Sequence, residues 1–95
     1  MLTIPGDSQS PAHEADAALA LSALGWVLTD DDRAQRLLAL TGLTPEILRD
    51  GLGETAVLGA VLEFLANHEP DLVLAADALG VKPEALVDAA YRLNR

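Results

Sequence analysis

The sequence predicts an all-α protein, folded as a single compact bundle of about six helices. Much of the 51% hydrophobic content is alanine and leucine, which are strong helix formers. Aromatic residues, which favour strands, make up only 3% of the chain. No stretch alternates apolar and polar residues cleanly enough to indicate a strand. Ninety-five residues suffice for one domain with one core.

The first ten residues are expected to form a flexible leader before a helical domain that covers residues 11–95. The first helix is predicted to begin at Ser10 and Pro11. A serine side chain caps free N–H groups, and proline suits the first helical turn. This helix is predicted to continue to about Leu28.

The second helix is expected to follow the segment "TDDD", in which Thr29 and Asp32 have the spacing of a capping box. It is predicted to end at Gly42, because glycine readily adopts the left-handed conformation that terminates helices. Pro45 then opens a short third helix. The flexible segment "GLG" at residues 51–53 closes it.

Three further helices are predicted in the second half of the chain. The fourth covers about residues 54–66, and the fifth covers about residues 70–79. Gly80 is the predicted stop of the fifth helix, and Pro83 is the predicted start of the sixth. The sixth helix is expected to reach almost to the C-terminus.

The chain resembles itself when it is shifted by 38 residues, which predicts two copies of a three-helix unit. The units cover about residues 17–53 and 55–93. The glycine that ends a helix, the proline that starts the next one and one large aromatic residue recur at matching positions of the two units. The aligned pairs are Gly42 with Gly80, Pro45 with Pro83, and Trp26 with Phe64.

The repeat predicts how the two long helices pack. Helices 1 and 4 are apolar on almost every side, so both need burial on more than one face. They are expected to pack together around an approximate two-fold axis. The small residues Ser22, Gly25 and Gly59 would let their backbones approach closely. Trp26 and Phe64 would occupy equivalent positions in the core.

The charge and the composition disfavour several classes of protein. A formal net charge of -9 repels nucleic-acid phosphates and anionic lipid. The absence of cysteine excludes disulfides and thiolate metal sites. The longest nearly uncharged run, residues 17–29, is shorter than the roughly 20 residues of a membrane-spanning helix. With no recognisable secretion signal, a soluble cytoplasmic protein is expected.

Two helix-turn-helix-like segments, "LALTGLTPEIL" and "ADALGVKPEAL", raise the question of DNA binding. A recognition helix offers Arg, Lys, Asn or Gln to base edges and is surrounded by basic residues. The second segment instead leads into a helix with Glu84, Asp88 and Arg92. We therefore interpret both segments as ordinary αα-hairpins. Direct nucleic-acid binding is disfavoured.

The inventory of reactive side chains does not indicate catalysis. The two histidines are His13 and His68, and the second lies beside Glu69 and Asp71 in "NHEPD". These neighbours lack the spacing of a zinc-binding helix, so a solvated turn with capping carboxylates is the preferred interpretation. The "DDD" run lacks the glycine and the distal glutamate of a calcium loop. No catalytic residue, cofactor or metal site is predicted, and the protein is not expected to be an enzyme.

Most of the chain resembles a family of short alphaproteobacterial helical proteins, the domain-of-unknown-function family numbered 3572. The resemblance covers about residues 18–93. Its more specific motifs are "ALGWVL", "LALTGLTPEILR", "AVLEFL" and "GVKPEAL". This chain departs from the family pattern at "TAVLG", where members often carry a phenylalanine, and at the proline of "NHEPDLVL". The resemblance implies the helical fold and supplies no activity.

Two functional hypotheses remain open. The leading one is a protein–protein interaction module or a self-associating domain, because two all-round apolar helices are difficult to cover in so small a protein. The partner would be another protein or a second copy of this chain, as in a homodimer. The alternative is a nucleic-acid-linked regulator. It would use a helix-turn-helix-like hairpin directly or place an acidic surface against a DNA-binding protein.

Overall fold

The computed structural model describes residues 11–95, and it describes side chains from Glu14 onward. The predicted leader, residues 1–10, lies outside this part of the chain. The described residues form six α-helices and no strand, so the predicted all-α fold is confirmed. The helices are α1 (Pro11–Val27), α2 (Asp31–Thr41), α3 (Pro45–Asp50), α4 (Thr55–Ala66), α5 (Glu69–Leu79) and α6 (Pro83–Leu93).

The helix ends follow from local chemistry. Gly42 and Gly80 end α2 and α5 with φ angles of 76° and 72°, the left-handed conformation that glycine adopts without strain. Pro45 and Pro83 are the first residues of α3 and α6. These signals act over a few residues, so their structural effect could be predicted without knowledge of the packing.

The start of α2 differs from the prediction. Asp30, and not Thr29, caps the helix, because the Asp30 carboxylate accepts a hydrogen bond of 2.9 Å from the backbone N–H of Arg33. The Thr29 hydroxyl instead donates to the carbonyl oxygen of Trp26 at 2.6 Å. Thr29 therefore closes the end of α1, and the predicted capping box is wrong.

The core is built around α4, which packs against α1, α2, α5 and α6. Its apolar residues cover most of the helix circumference, and Leu62 and Leu65 are completely buried. Burial of each such side chain contributes about 2 kcal/mol. Apart from Thr55 and Ala66 near its ends, the solvent-accessible part of α4 and its C-terminal turn is one stripe. The stripe consists of Ala56, Ala60, Glu63 and Asn67.

Helix α1 packs against α2, α4, α5 and α6 and buries one face. Ser22 and Gly25 are exposed, so the prediction that they bring α1 close to α4 is wrong. The small residues on the buried face are Ala20 and Ala23, both with no exposed surface. Because α1 is apolar on almost every side after Asp16, its pattern did not indicate which face would be buried.

Gly59 has a different neighbour from the one predicted. It is buried, and a Cβ at this position would lie 2.7 Å from Oδ1 of Asn94. The Asn94 amide donates to the carbonyl oxygens of Gly59, at 3.0 Å, and of Ala90, at 2.8 Å. Gly59 therefore makes room for the end of α6, and not for α1.

The two large aromatic residues do not occupy equivalent positions. Phe64 is buried in α4, with 4% of its surface exposed. Trp26 is half-buried where α1 ends, and the Arg33 guanidinium lies 3.8 Å from the centroid of a Trp26 ring. The helices α1 and α4 also differ in length, with 17 and 12 residues. The predicted equivalence is wrong, and the internal repeat is not confirmed.

Two ion pairs connect helices that are distant in sequence. Asp16 in α1 pairs with Arg92 in α6, and Asp71 in α5 pairs with Arg36 in α2. Both aspartates are buried, and a buried carboxylate requires a partner. The hydrogen bond that the Arg92 guanidinium donates to the Asp16 carboxylate raises the pKa of Arg92 above its ordinary value. Among the helices of residues 11–95, none has both the length and the apolar character needed to cross a bilayer.

Candidate functional site

The exposed stripe of α4 is bordered by a cleft on each side. The α2/α4 cleft has a volume of about 440 Å³, and the α4/α6 cleft has a volume of about 430 Å³. Glu63 and Asn67 line both clefts, so they form a ridge between them. They lie four positions apart and therefore share one face of the helical turn. The two clefts and this ridge form one surface, which we call the double cleft.

The α2/α4 cleft combines apolar and aromatic walls with polar groups. Leu40 of α2 is 59% exposed at its edge. The rings of Phe64 and His68 stack in its wall, with centroids 5.1 Å apart and planes inclined by 28°. This pairing follows from the four-residue spacing of the two side chains. Nδ1 of His68 is buried, and no hydrogen bond from the described residues reaches it.

The α4/α6 cleft is lined on its far side by one face of α6. Val87, Tyr91 and Arg95 lie four residues apart and contribute to this wall. Tyr91 is 68% exposed, and the Arg95 guanidinium lies 5.7 Å from its ring centroid. The hydrogen bonds of Asn94 to Gly59 and Ala90 hold this end of α6 against α4. The cleft wall is thus attached to the core.

The surface charge is strongly negative because acidic residues far outnumber basic ones. The chain has six basic and 15 acidic residues. Arg36 and Arg92 neutralise buried aspartates, and Arg33 lies over Trp26. No ion pair in residues 14–95 engages Glu63 of the ridge. The double cleft therefore presents a carboxylate that forms no ion pair within the described residues, between two partly apolar walls, one of which also carries Arg95.

The acidic and histidine residues considered from the sequence are not brought together. Asp71 pairs with Arg36, whereas His68 stacks on Phe64. Within the described residues, no group of three or more His, Asp and Glu side chains is arranged to hold a metal ion. The side chain of His13 lies outside the described residues.

The second hairpin, α5 to α6, carries an acidic exposed face. Glu84 and Asp88 are exposed on α6, and the guanidinium of Arg92 on the same helix is bound to Asp16. Helix α3 exposes Glu46 and Asp50 beside its single arginine, Arg49, and neither α3 nor α6 is a basic recognition helix.

Sequence reasoning named Phe64 and His68, which line the α2/α4 cleft, but it did not predict the double cleft or its ridge. One available signal was Glu63, the only charged residue in the apolar helix "TAVLGAVLEFLA". A second was the four-residue spacing of Tyr91 and Arg95, which places a cation beside an aromatic ring. Leu40 gave no signal, because an exposed leucine on an amphipathic helix cannot be distinguished by residue type from a buried one.

The comparisons with known proteins identify the family and no activity. No curated protein matches the chain, and no solved structure matches it. Residues 13–95 match a family model described as a protein of unknown function (DUF3572). Because this match covers almost the whole chain, the protein belongs to the DUF3572 family.

Proposed function

We propose that this protein is a small interaction module that binds a basic segment of a partner protein through the double cleft. The observation that carries the proposal is the shared ridge: Glu63 and Asn67 line both clefts, which makes them one continuous surface. The proposal includes no catalytic step, cofactor or metal ion.

Exposed apolar side chains on both sides of the ridge support a docking role. Leu40, Val87 and Tyr91 are 59%, 40% and 68% exposed. Clustered apolar exposure is typical of interaction surfaces, and tyrosine is enriched among the residues that dominate binding energies. Because α4 is held by the core on its other sides, the surface is preorganised, which lowers the entropic cost of binding.

The net charge favours a basic partner over a second copy of the chain. Two copies would each carry a charge of -9, and a two-fold interface through the double cleft would bring both Glu63 carboxylates close together. A basic segment would be attracted by the same field, which accelerates encounter. A DNA-binding protein is one class of basic partner, whereas direct contact with DNA would be opposed by this charge.

Affinity capture of tagged variants from native cells, with and without nuclease, tests the proposal. The variant Leu40→Ser/Tyr91→Ser removes apolar contacts on both sides of the ridge. Leu74→Ser is the matched control, because Leu74 is 53% exposed on α5 and lines neither cleft. In the presence of nuclease, we expect the wild type and the control variant to capture the same partner protein. The double variant should no longer capture it.

Two results would contradict the proposal. The first is a captured protein that binds the double variant as well as it binds the wild type. The second is a dimer in size-exclusion chromatography that the double variant abolishes, because the double cleft would then be occupied by a second copy. Circular dichroism of each variant establishes that loss of binding is not loss of folding.

A further inference from the structure

The three aromatic residues of the chain differ in whether a cationic side chain lies over the aromatic ring. The Arg33 guanidinium lies 3.8 Å from a Trp26 ring centroid, and that of Arg95 lies 5.7 Å from the Tyr91 ring. The third aromatic residue, Phe64, carries no arginine or lysine within residues 14–95, and it is buried. The His68 ring that stacks on Phe64 is half-buried, so it is the more accessible aromatic group in the wall of the α2/α4 cleft.

The polar groups of the α2/α4 cleft are suited to a cation. No lysine or arginine lines it, and Glu63 contributes a carboxylate that forms no ion pair within residues 14–95. The side-chain amide of Asn67 offers an oxygen acceptor in the same cleft.

We propose that the α2/α4 cleft binds the guanidinium group of an arginine side chain in the basic partner segment. This inference rests on the proposed function and assigns the partner residue that enters the cleft. Guanidinium is planar, so it can stack on the half-buried His68 ring while its N–H groups donate to a carboxylate and an amide oxygen. A lysine ammonium is more strongly hydrated and has no planar face for stacking.

The cleft can be tested without the partner by NMR titration of the full chain with N-acetyl-arginine methylamide. N-acetyl-citrulline methylamide is the neutral isostere, and N-acetyl-lysine methylamide carries the same charge without the planar group. We expect saturable shifts that are concentrated at Ala60, Glu63, Phe64, Asn67 and His68. The arginine probe should bind more tightly than the lysine probe, and the citrulline probe should give no saturable shift.

Two charge-neutralising variants locate the site. Glu63→Gln should weaken binding of the arginine probe about fivefold, the upper range for a solvent-accessible ion pair. Glu84→Gln is the matched control, because Glu84 is an exposed acid on α6 that lines neither cleft. It should change the affinity less than twofold. Equal weakening in both variants, or shifts spread over the acidic surface, would overturn the assignment.

The probe experiment and the capture experiment can fail separately. If a partner is captured through Leu40 and Tyr91 but the arginine probe does not bind, the interaction module stands and the arginine assignment is wrong. In the opposite case, the probe binds in a Glu63-dependent way, and the partner is still retained by both Glu63→Gln and the double variant. The cleft then binds guanidinium, and the proposed docking face is wrong.

Discussion

Asp16 and Arg92 join the first and last helices of the described chain through two parallel hydrogen bonds. Nε of Arg92 donates to Oδ2 of Asp16 at 2.7 Å, and Nη2 donates to Oδ1 at 2.9 Å, across 76 positions in sequence. The two partners are not equally accessible, since 6% of the aspartate side chain is exposed against 46% of the arginine side chain. Loss of one partner is therefore not equivalent to loss of the other.

We expect Arg92→Met to lower the melting temperature more than Asp16→Asn. The first variant leaves a buried carboxylate without its partner, whereas the second leaves a guanidinium that can turn toward solvent. Thermal unfolding followed by circular dichroism measures both, with Arg49→Met as a control at an exposed arginine of α3. An equal or larger fall in melting temperature for Asp16→Asn would show that the buried aspartate is not stabilised by Arg92.

The contact between Gly59 and Asn94 predicts a coupling between two substitutions. In an Asn94→Ala background, Gly59→Ala should stabilise the protein by about 1 kcal/mol, because alanine is the better helix former. In the wild type, the added Cβ would displace the Asn94 amide from its hydrogen bond, which costs about 1 kcal/mol and cancels the gain. Urea unfolding of the four proteins measures the coupling, and additive effects would contradict the contact.

The two glycines of the "GLG" segment are expected to differ in how well they tolerate substitution by alanine. A Cβ at Gly51 would lie 2.8 Å from Cγ2 of Val57 and 2.9 Å from the backbone oxygen of Ile47, whereas a Cβ at Gly53 meets no atom within 4 Å. Gly51→Ala should therefore destabilise the protein by roughly 1–3 kcal/mol. Gly53→Ala should change the stability by less than about 0.5 kcal/mol. Equal tolerance in urea unfolding would mean that the whole segment is a flexible joint, as the sequence predicts.

The environments of Phe64 and Trp26 predict unequal costs of truncation. Phe64→Ala should destabilise the protein by roughly 3–5 kcal/mol, because the side chain is buried in the core. Trp26→Ala should cost less, roughly 1–3 kcal/mol, since the ring is half-buried and one side of it carries Arg33. Chemical unfolding of both variants measures the difference. Equal losses of stability would instead support the equivalent core positions of Trp26 and Phe64 that the 38-residue repeat predicts.

The sequence by itself determined the helical plan of the protein. The stop residues Gly42 and Gly80 and the start residues Pro45 and Pro83 act through backbone conformation within a few positions. Four of the helices accordingly end or begin where these residues predict. Where two local signals compete within one short segment, as Thr29 and Asp30 do before α2, the sequence alone did not show which side chain would cap the helix.

Only the tertiary structure decided which faces are buried and which residues form the double cleft. Leu21 and Leu24 are chemically identical residues three positions apart in α1, yet they are 42% and 4% exposed. A helix that is apolar on every side has no intrinsic inner face, so its orientation is set by the helices that pack against it. The same reason applies to the ridge: Glu63 and Asn67 face solvent because α1, α2, α5 and α6 cover the rest of α4.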